Sequence, residues 1–114
     1  MTWAKLDDSF YDDPKVVAAG NEAAGVYCRA LSYCGKHLTD GRVPEAIAGL
    51  IAGKRRPISK LLEVGLWDQA EDGYSVCDYL RFNPSKAEVE HKRQVRAEAG
   101  KRGGLASANG RSKR

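Results

Sequence analysis

Cysteine is scarce in this sequence: its 114 residues hold only Cys28, Cys34 and Cys77. Three thiols cannot all pair within one chain, and none lies in a Cys-x-x-Cys step. Neither a disulfide scaffold nor a zinc ribbon is therefore expected, and the scatter predicts buried, reduced thiols of a cytoplasmic protein. Long apolar runs are missing as well. The longest uninterrupted stretch of alanines, glycines and apolar residues is Ala46–Gly53, far short of a membrane span. The first residues, Trp3-Ala4-Lys5-Leu6-Asp7-Asp8 among them, lack the apolar core of a signal peptide, so no membrane partner is expected.

Signatures of catalysis are absent too. Gly49-Leu50-Ile51-Ala52-Gly53-Lys54 is one residue short of a P-loop and is followed by Arg55 rather than Ser or Thr. There is no Gly-x-Ser-x-Gly, and His37 and His91 have no evident catalytic partners. Cys34 and His37, three residues apart on a helix, could share an ion, but Cys28 points elsewhere. Asp7, Asp8, Asp12 and Asp13 read as capping and solvating groups of an N-terminal arm. The expectation is a protein that is not an enzyme, with no catalytic residues, no metal and no cofactor.

What the sequence does have is a steep charge asymmetry. Residues 1–83 carry 10 basic and 12 acidic side chains, whereas residues 84–114 carry 9 basic and 3 acidic ones. A near-neutral body with a cationic extension points toward a polyanionic partner. The length suits one small domain with an appendage, read as 1–83 and 84–114.

Trp3, Leu6, Phe10 and Tyr11 are apolar islands in an acidic arm, expected to pin it to the core. Asp13-Pro14 supplies an N-cap and a first-position proline for a helix over 14–19, ended by Gly20. Ala23, Tyr27, Ala30, Leu31, Cys34 and Leu38 recur every three or four residues and predict a helix over 21–38, stopped at Thr39-Asp40-Gly41. A very short strand at 41–43 precedes a helix opened by Pro44, with Ala46, Ile47, Leu50 and Ile51 facing inward. Lys54-Arg55-Arg56 reads as a basic turn before a helix over 57–64 that buries Ile58, Leu61 and Leu62. The segments 66–69 and 74–80, joined by a turn containing Asp72-Gly73, predict a β-hairpin. Ser85-Lys86-Ala87-Glu88 is a capping box that opens a helix to about Ala99. Gly100-Lys101-Arg102-Gly103-Gly104 should break that helix, and the last ten residues, small, polar and basic, should be disordered alone.

A long helix, a tiny strand, two short helices joined by a tight turn and then a hairpin is the order of a winged helix-turn-helix. The expected fold class is α+β, mainly α, with a basic C-terminal helix and tail. The 57–64 helix would be the one laid in the major groove, about 12 Å wide, which admits a helix about 10–12 Å across.

Several strings match one family. Trp3-Ala4-Lys5-Leu6-Asp7-Asp8, Pro14-Lys15-Val16, Ala19-Gly20-Asn21, Arg29-Ala30-Leu31-Ser32-Tyr33-Cys34, Thr39-Asp40-Gly41, Val43-Pro44 and Gly65-Leu66-Trp67 occur in order. With the Ala99–Gly104 step into a basic tail, they span residues 3–104. In these the chain resembles the phage-type winged-helix replication proteins, replisome-organiser-like, of actinobacterial phages and prophages. Members often continue well past such a basic stretch, whereas this sequence ends at Arg114. The resemblance implies a DNA-binding viral module used in phage DNA replication or transcription regulation, in the host cytoplasm, with replication or host proteins as further partners.

The residues expected to meet double-stranded DNA are Lys54, Arg55, Arg56, Ser59 and Lys60 around the 57–64 helix, and Lys92, Arg93, Arg96, Lys101 and Arg102 in the extension. Arg111, Lys113 and Arg114 add cations beyond these. Glu63 would repel phosphate, and at best accepts from cytosine. Glu71 and Asp72 put two carboxylates at the hairpin tip, where a DNA-contacting wing has Lys or Arg. That tip, with Trp3, Phe10 and Tyr11, favours the alternative of a winged-helix module that grips a host or phage protein. Sparse apolar residues on the 86–99 helix leave a homodimer open.

Overall fold

Asp13 and Pro14 start the first helix as their chemistry demands. The Asp13 carboxylate accepts from the Lys15 N–H at 2.8 Å, and Pro14 occupies a position whose missing N–H needs no helical partner. In the computed structural model, which describes residues 3–112 and the side chains of 3–81 and 83–103, a 3-10 turn (Phe10–Asp12) leads into α1 (Pro14–Ala19) and α2 (Asn21–His37). There follow β1 (Arg42–Pro44), α3 (Glu45–Ala52), α4 (Arg55–Val64), β2 (Trp67–Ala70), β3 (Gly73–Val76), α5 (Tyr79–Phe82) and α6 (Lys86–Ser112). The protein is α+β and mainly helical, with one small antiparallel sheet in the order β1-β3-β2. Among the described residues no helix is long and apolar enough to cross a membrane.

The core lies between α2, α4 and the sheet. Ala23, Val26, Ala30, Leu31 and Cys34 of α2 meet Ile58 and Leu61 of α4 and Val43, Trp67, Tyr74 and Val76 of the strands. The α2 stripe is close to the expected one, with Val26 added. Leu38 is not its last turn but its cap, in the left-handed region at φ 53°. Register is set by Val43 and Gln69 on either side of Tyr74, and by Trp67 opposite Val76.

Beyond shifts of one residue at element ends, four boundaries and faces differ from the sequence reading. The α4 helix begins at Arg55, not Pro57, so Arg55 and Arg56 are its first turn rather than a free basic turn. Pro57 is tolerated there because the first N–H groups of a helix have no internal acceptor. The inward face of α3 is Ile47, Ala48, Ile51 and Ala52, the expected i, i+1, i+4, i+5 pattern displaced by one residue. Ala46 is consequently exposed and Leu50 is 76% exposed. The second hairpin strand stops at Val76 instead of Leu80, because Asp78 turns left-handed at φ 59° and starts α5. This swings Tyr79 into the core against Gly41, where an added Cβ would come within 2.7 Å of the Tyr79 Cβ.

The fourth difference is α6. It runs through Gly100 and Gly103 to Ser112, and neither glycine takes a positive φ. Glycine in a helix interior costs roughly 1 kcal/mol against alanine but does not by itself end the helix. The N-terminus is held twice: Ser85 Oγ accepts from the Glu88 N–H at 3.1 Å, and Asp40 Oδ1 accepts from the Lys86 N–H at 2.6 Å across the fold. Val89 is buried against the body, and residues 90–103 are all exposed. The radius of gyration, 19.4 Å, exceeds the about 13 Å of a compact chain of this length because α6 leaves the body. Asp40→Ala should cost about 1–2 kcal/mol, through the lost cap and a left-handed residue (φ 55°) that alanine resists. Asp40→Asn keeps an acceptor and tolerates that φ, so it should cost less than half as much; amide exchange across 86–90 checks both.

The N-terminal arm is tied down, but by only one of its aromatics. The Lys5 N–H donates to the buried Asn83 Oδ1 at 2.8 Å, and Ala4 lies over Gly35 of α2. Of the four islands only Phe10 packs inward, stacked on Tyr27 at 5.4 Å. Trp3 and Tyr11 are 79% and 81% exposed, and Leu6 is half exposed, correcting the expectation that they are pinned to the core.

Candidate nucleic-acid interface

One side of α4 is committed to the core by Pro57, Ile58 and Leu61. At 3.6 residues per turn the opposite arc carries Arg56, Ser59, Lys60 and Glu63, with Arg55 at its sheet-side edge. All of these are exposed except Lys60, which is half-buried. The expected contact residues of this helix therefore share one solvent-facing surface.

Their electrostatic partners differ. Lys54, just ahead of the helix, pairs with Glu22 at 3.0 Å across an exposed gap, an interaction worth about 0–1 kcal/mol and readily exchanged for a phosphate. Lys60 faces Glu63 at 3.8 Å on the same helix. Arg55 reaches over the sheet: its guanidinium donates to the Tyr74 hydroxyl at 2.5 Å and sits 5.9 Å from the centre of that ring. Tyr74 is in turn stacked on Trp67 at 5.4 Å. The Trp67–Tyr74–Arg55 chain fixes one cation on a residue that remains exposed. Arg56 has no partner among the described residues. Together with Lys60 it walls a cleft of about 310 Å³, closed on the other side by Ala19, Gly20, Asn21 and Glu22 at the α1–α2 corner.

Tyr74, buried beneath this surface, is the contributor that sequence reasoning missed. It lies 19 residues from Arg55, and only its place in β3, between Val43 and Gln69, brings it to the start of α4.

The hairpin tip is folded back rather than projecting. The carbonyl of Asp72 accepts from the Glu45 N–H at 3.0 Å, which seats the Glu71-Asp72 turn at the N-terminus of α3. Two acidic residues there complement the partial positive charge of that helix end, a structural reason for their sign.

Along α6, Lys92, Arg93, Arg96, Lys101 and Arg102 are all exposed, but on different faces. Lys92, Arg93 and Arg96 follow Val89 at three- and four-residue steps, whereas Lys101 and Arg102 point to other sides. The side chain of Arg111, and residues Lys113 and Arg114, lie outside the described residues.

The thiols offer no activated nucleophile. Burial raises Cys28 and Cys34, and Cys77 is pushed up to about 11 by burial and by Asp68, whose carboxylate lies 3.1 Å from its sulfur. Among the described residues no three His, Cys, Asp or Glu side chains gather as a metal site. Asp7 accepts from the Ser9 N–H at 2.9 Å, Asp8 from the Ser9 hydroxyl at 3.5 Å, and Asp13 caps α1, so three of the four arm carboxylates are in use locally.

Comparison with protein-family models, with curated proteins and with solved structures finds no match to this chain.

Proposed function

We propose that the protein is a winged-helix DNA-binding protein of phage type that acts by occupying duplex DNA, in replication initiation or gene regulation, without chemistry of its own. The observation that carries this reading is the α4 arc. Arg55, Arg56, Ser59 and Lys60 share the solvent face of the second helix in an α3–turn–α4 unit, followed by a short antiparallel hairpin. A helix of this size fits the major groove, with Lys54 and Arg56 at the phosphates and Arg55 held by Tyr74. The cationic α6 adds to the same field, and the cytoplasm, where polynucleotide is available, is the compartment this reading requires.

The test is fluorescence anisotropy with a labelled duplex over a salt series. Arg55→Glu is a poor probe because it also removes the Tyr74 contact. Arg56→Gln together with Lys60→Gln should bind about tenfold more weakly, with the salt slope reduced by about two and the melting temperature unchanged. Unchanged affinity would remove α4 from the interface.

A second reading is favoured by one observation, the exposure of Trp3 and Tyr11 on the arm. Aromatic side chains left in water at a tethered segment suit a protein partner, a host or phage component. No shift of the duplex at low salt would support this reading over the first.

A further inference from the structure

Carboxylates fall on every side of α6 but one. Glu88, His91, Val95 and Glu98 follow one another at three- and four-residue steps on one side, and Glu90, Gln94 and Lys101 occupy a neighbouring one. The remaining face begins with the buried Val89, where the helix leaves the body, and continues through Lys92, Arg93 and Arg96 to Gly100 and Gly103. It holds no carboxylate. The two glycines on it have no internal purpose: a Cβ built on either meets nothing within 4 Å, and neither has a positive φ. Helix interiors disfavour glycine, so its presence at both positions on the cationic face, with open space outside, fits close approach by something not of this chain.

We infer that α6 is a second DNA-contacting element, which lays its carboxylate-free face along the groove of a duplex so that Lys92 and Arg96 meet phosphates while Gly100 and Gly103 let the helix backbone come close. The inference rests on the DNA-binding reading of α4 and adds to it a bipartite footprint. Charge complementarity selects the occupant. A face with three cations and no acid suits a polyanion of regular charge spacing, and a helix about 10–12 Å across suits the major groove. The body sets the helix's direction, because Asp40, Ser85 and Val89 hold its first turn.

The experiment uses the full chain and labelled 30-base-pair duplex in anisotropy titrations across salt, with two variants that remove equal charge. Lys92→Gln with Arg96→Gln lies on the face; Lys101→Gln with Arg102→Gln lies off it. The on-face pair should weaken binding at least about tenfold and lower the salt slope by about two, while the off-face pair should change affinity less than about threefold. Gly100→Ala with Gly103→Ala should raise helix content by circular dichroism yet weaken binding several-fold, which separates close approach from helix stability. Equal losses from the two charge pairs would mean diffuse attraction and would overturn the inference. So would an unaffected on-face pair in a chain that still needs Arg56 and Lys60. If the parent chain fails to bind duplex at low salt, the α4 reading itself is lost, and α6 falls with it. Unchanged or tighter binding by the glycine variant would overturn the close approach.

Discussion

Gly73→Ala is expected to destabilise the fold by about 3 kcal/mol or more and lower its melting temperature by at least about 12 °C, one of the two largest effects foreseen for a single substitution here. Gly73 has φ 152°, and a Cβ there would press on the Val43 carbonyl and come within 2.5 Å of the Glu45 amide nitrogen. Both are backbone atoms at the junction of β1 and α3, so no side chain can swing aside. Relief would require moving β1 off β3, where Pro44 faces Gly73 and Val43 faces Tyr74. Gly53→Ala is the control. Gly53 also has a positive φ, 71°, but open space around it, so only the left-handed backbone cost of about 1–2 kcal/mol applies. Thermal melts of both variants give the comparison; equal, small shifts would mean the β1–β3 approach is looser than described.

The second large effect is Trp67→Ala, at about 3–5 kcal/mol. Trp67 is fully buried, stacked on Tyr74, and central to the contact between α4 and the sheet. Its loss removes the largest side chain of the core and the support behind Tyr74. Trp67→Phe separates volume from chemistry. The indole Nε1 is buried without a hydrogen-bond partner among the described residues, so phenylalanine keeps most of the ring while removing an unsatisfied donor. A cost under about 1.5 kcal/mol is expected. Denaturant titration measures both. In Trp67→Phe the remaining emission comes from the exposed Trp3 and should shift to the red.

Local chemistry made many elements legible. Asp13-Pro14, Gly20, Asp40-Gly41, Asp72-Gly73 and the Ser85–Glu88 box each mark a boundary by a backbone or capping requirement that tertiary contacts did not override. Faces and lengths were harder. Residues 46–52 contain two overlapping registers of the same apolar spacing, and the bulkier one, with Ala46 and Leu50, lost to the one centred on the small Ala48, which lets the helix pack closely. Tyr79 and Leu80 are strand formers, yet a left-handed Asp78 turned them into a helical step. Gly100 and Gly103 looked like a stop because composition alone does not distinguish a costly helix from a broken one. At the candidate site the cations of α4 were readable as a cluster. Their differing fates were not, since Glu22 and Tyr74 reach them only through the folded arrangement of α2 and β3.

The hold of the body on the first turn of α6 makes the helix beyond it a lever. From Lys86 to Gly103 the arm is about 26 Å long at 1.5 Å per residue, so a tilt of about 10° at its root carries the far end through about 4.5 Å. That is more than the 3.4 Å rise of one base-pair step. On the inferred duplex contact, the Asp40 carboxylate would act as a bearing, and small adjustments there would select which step the distal glycines reach.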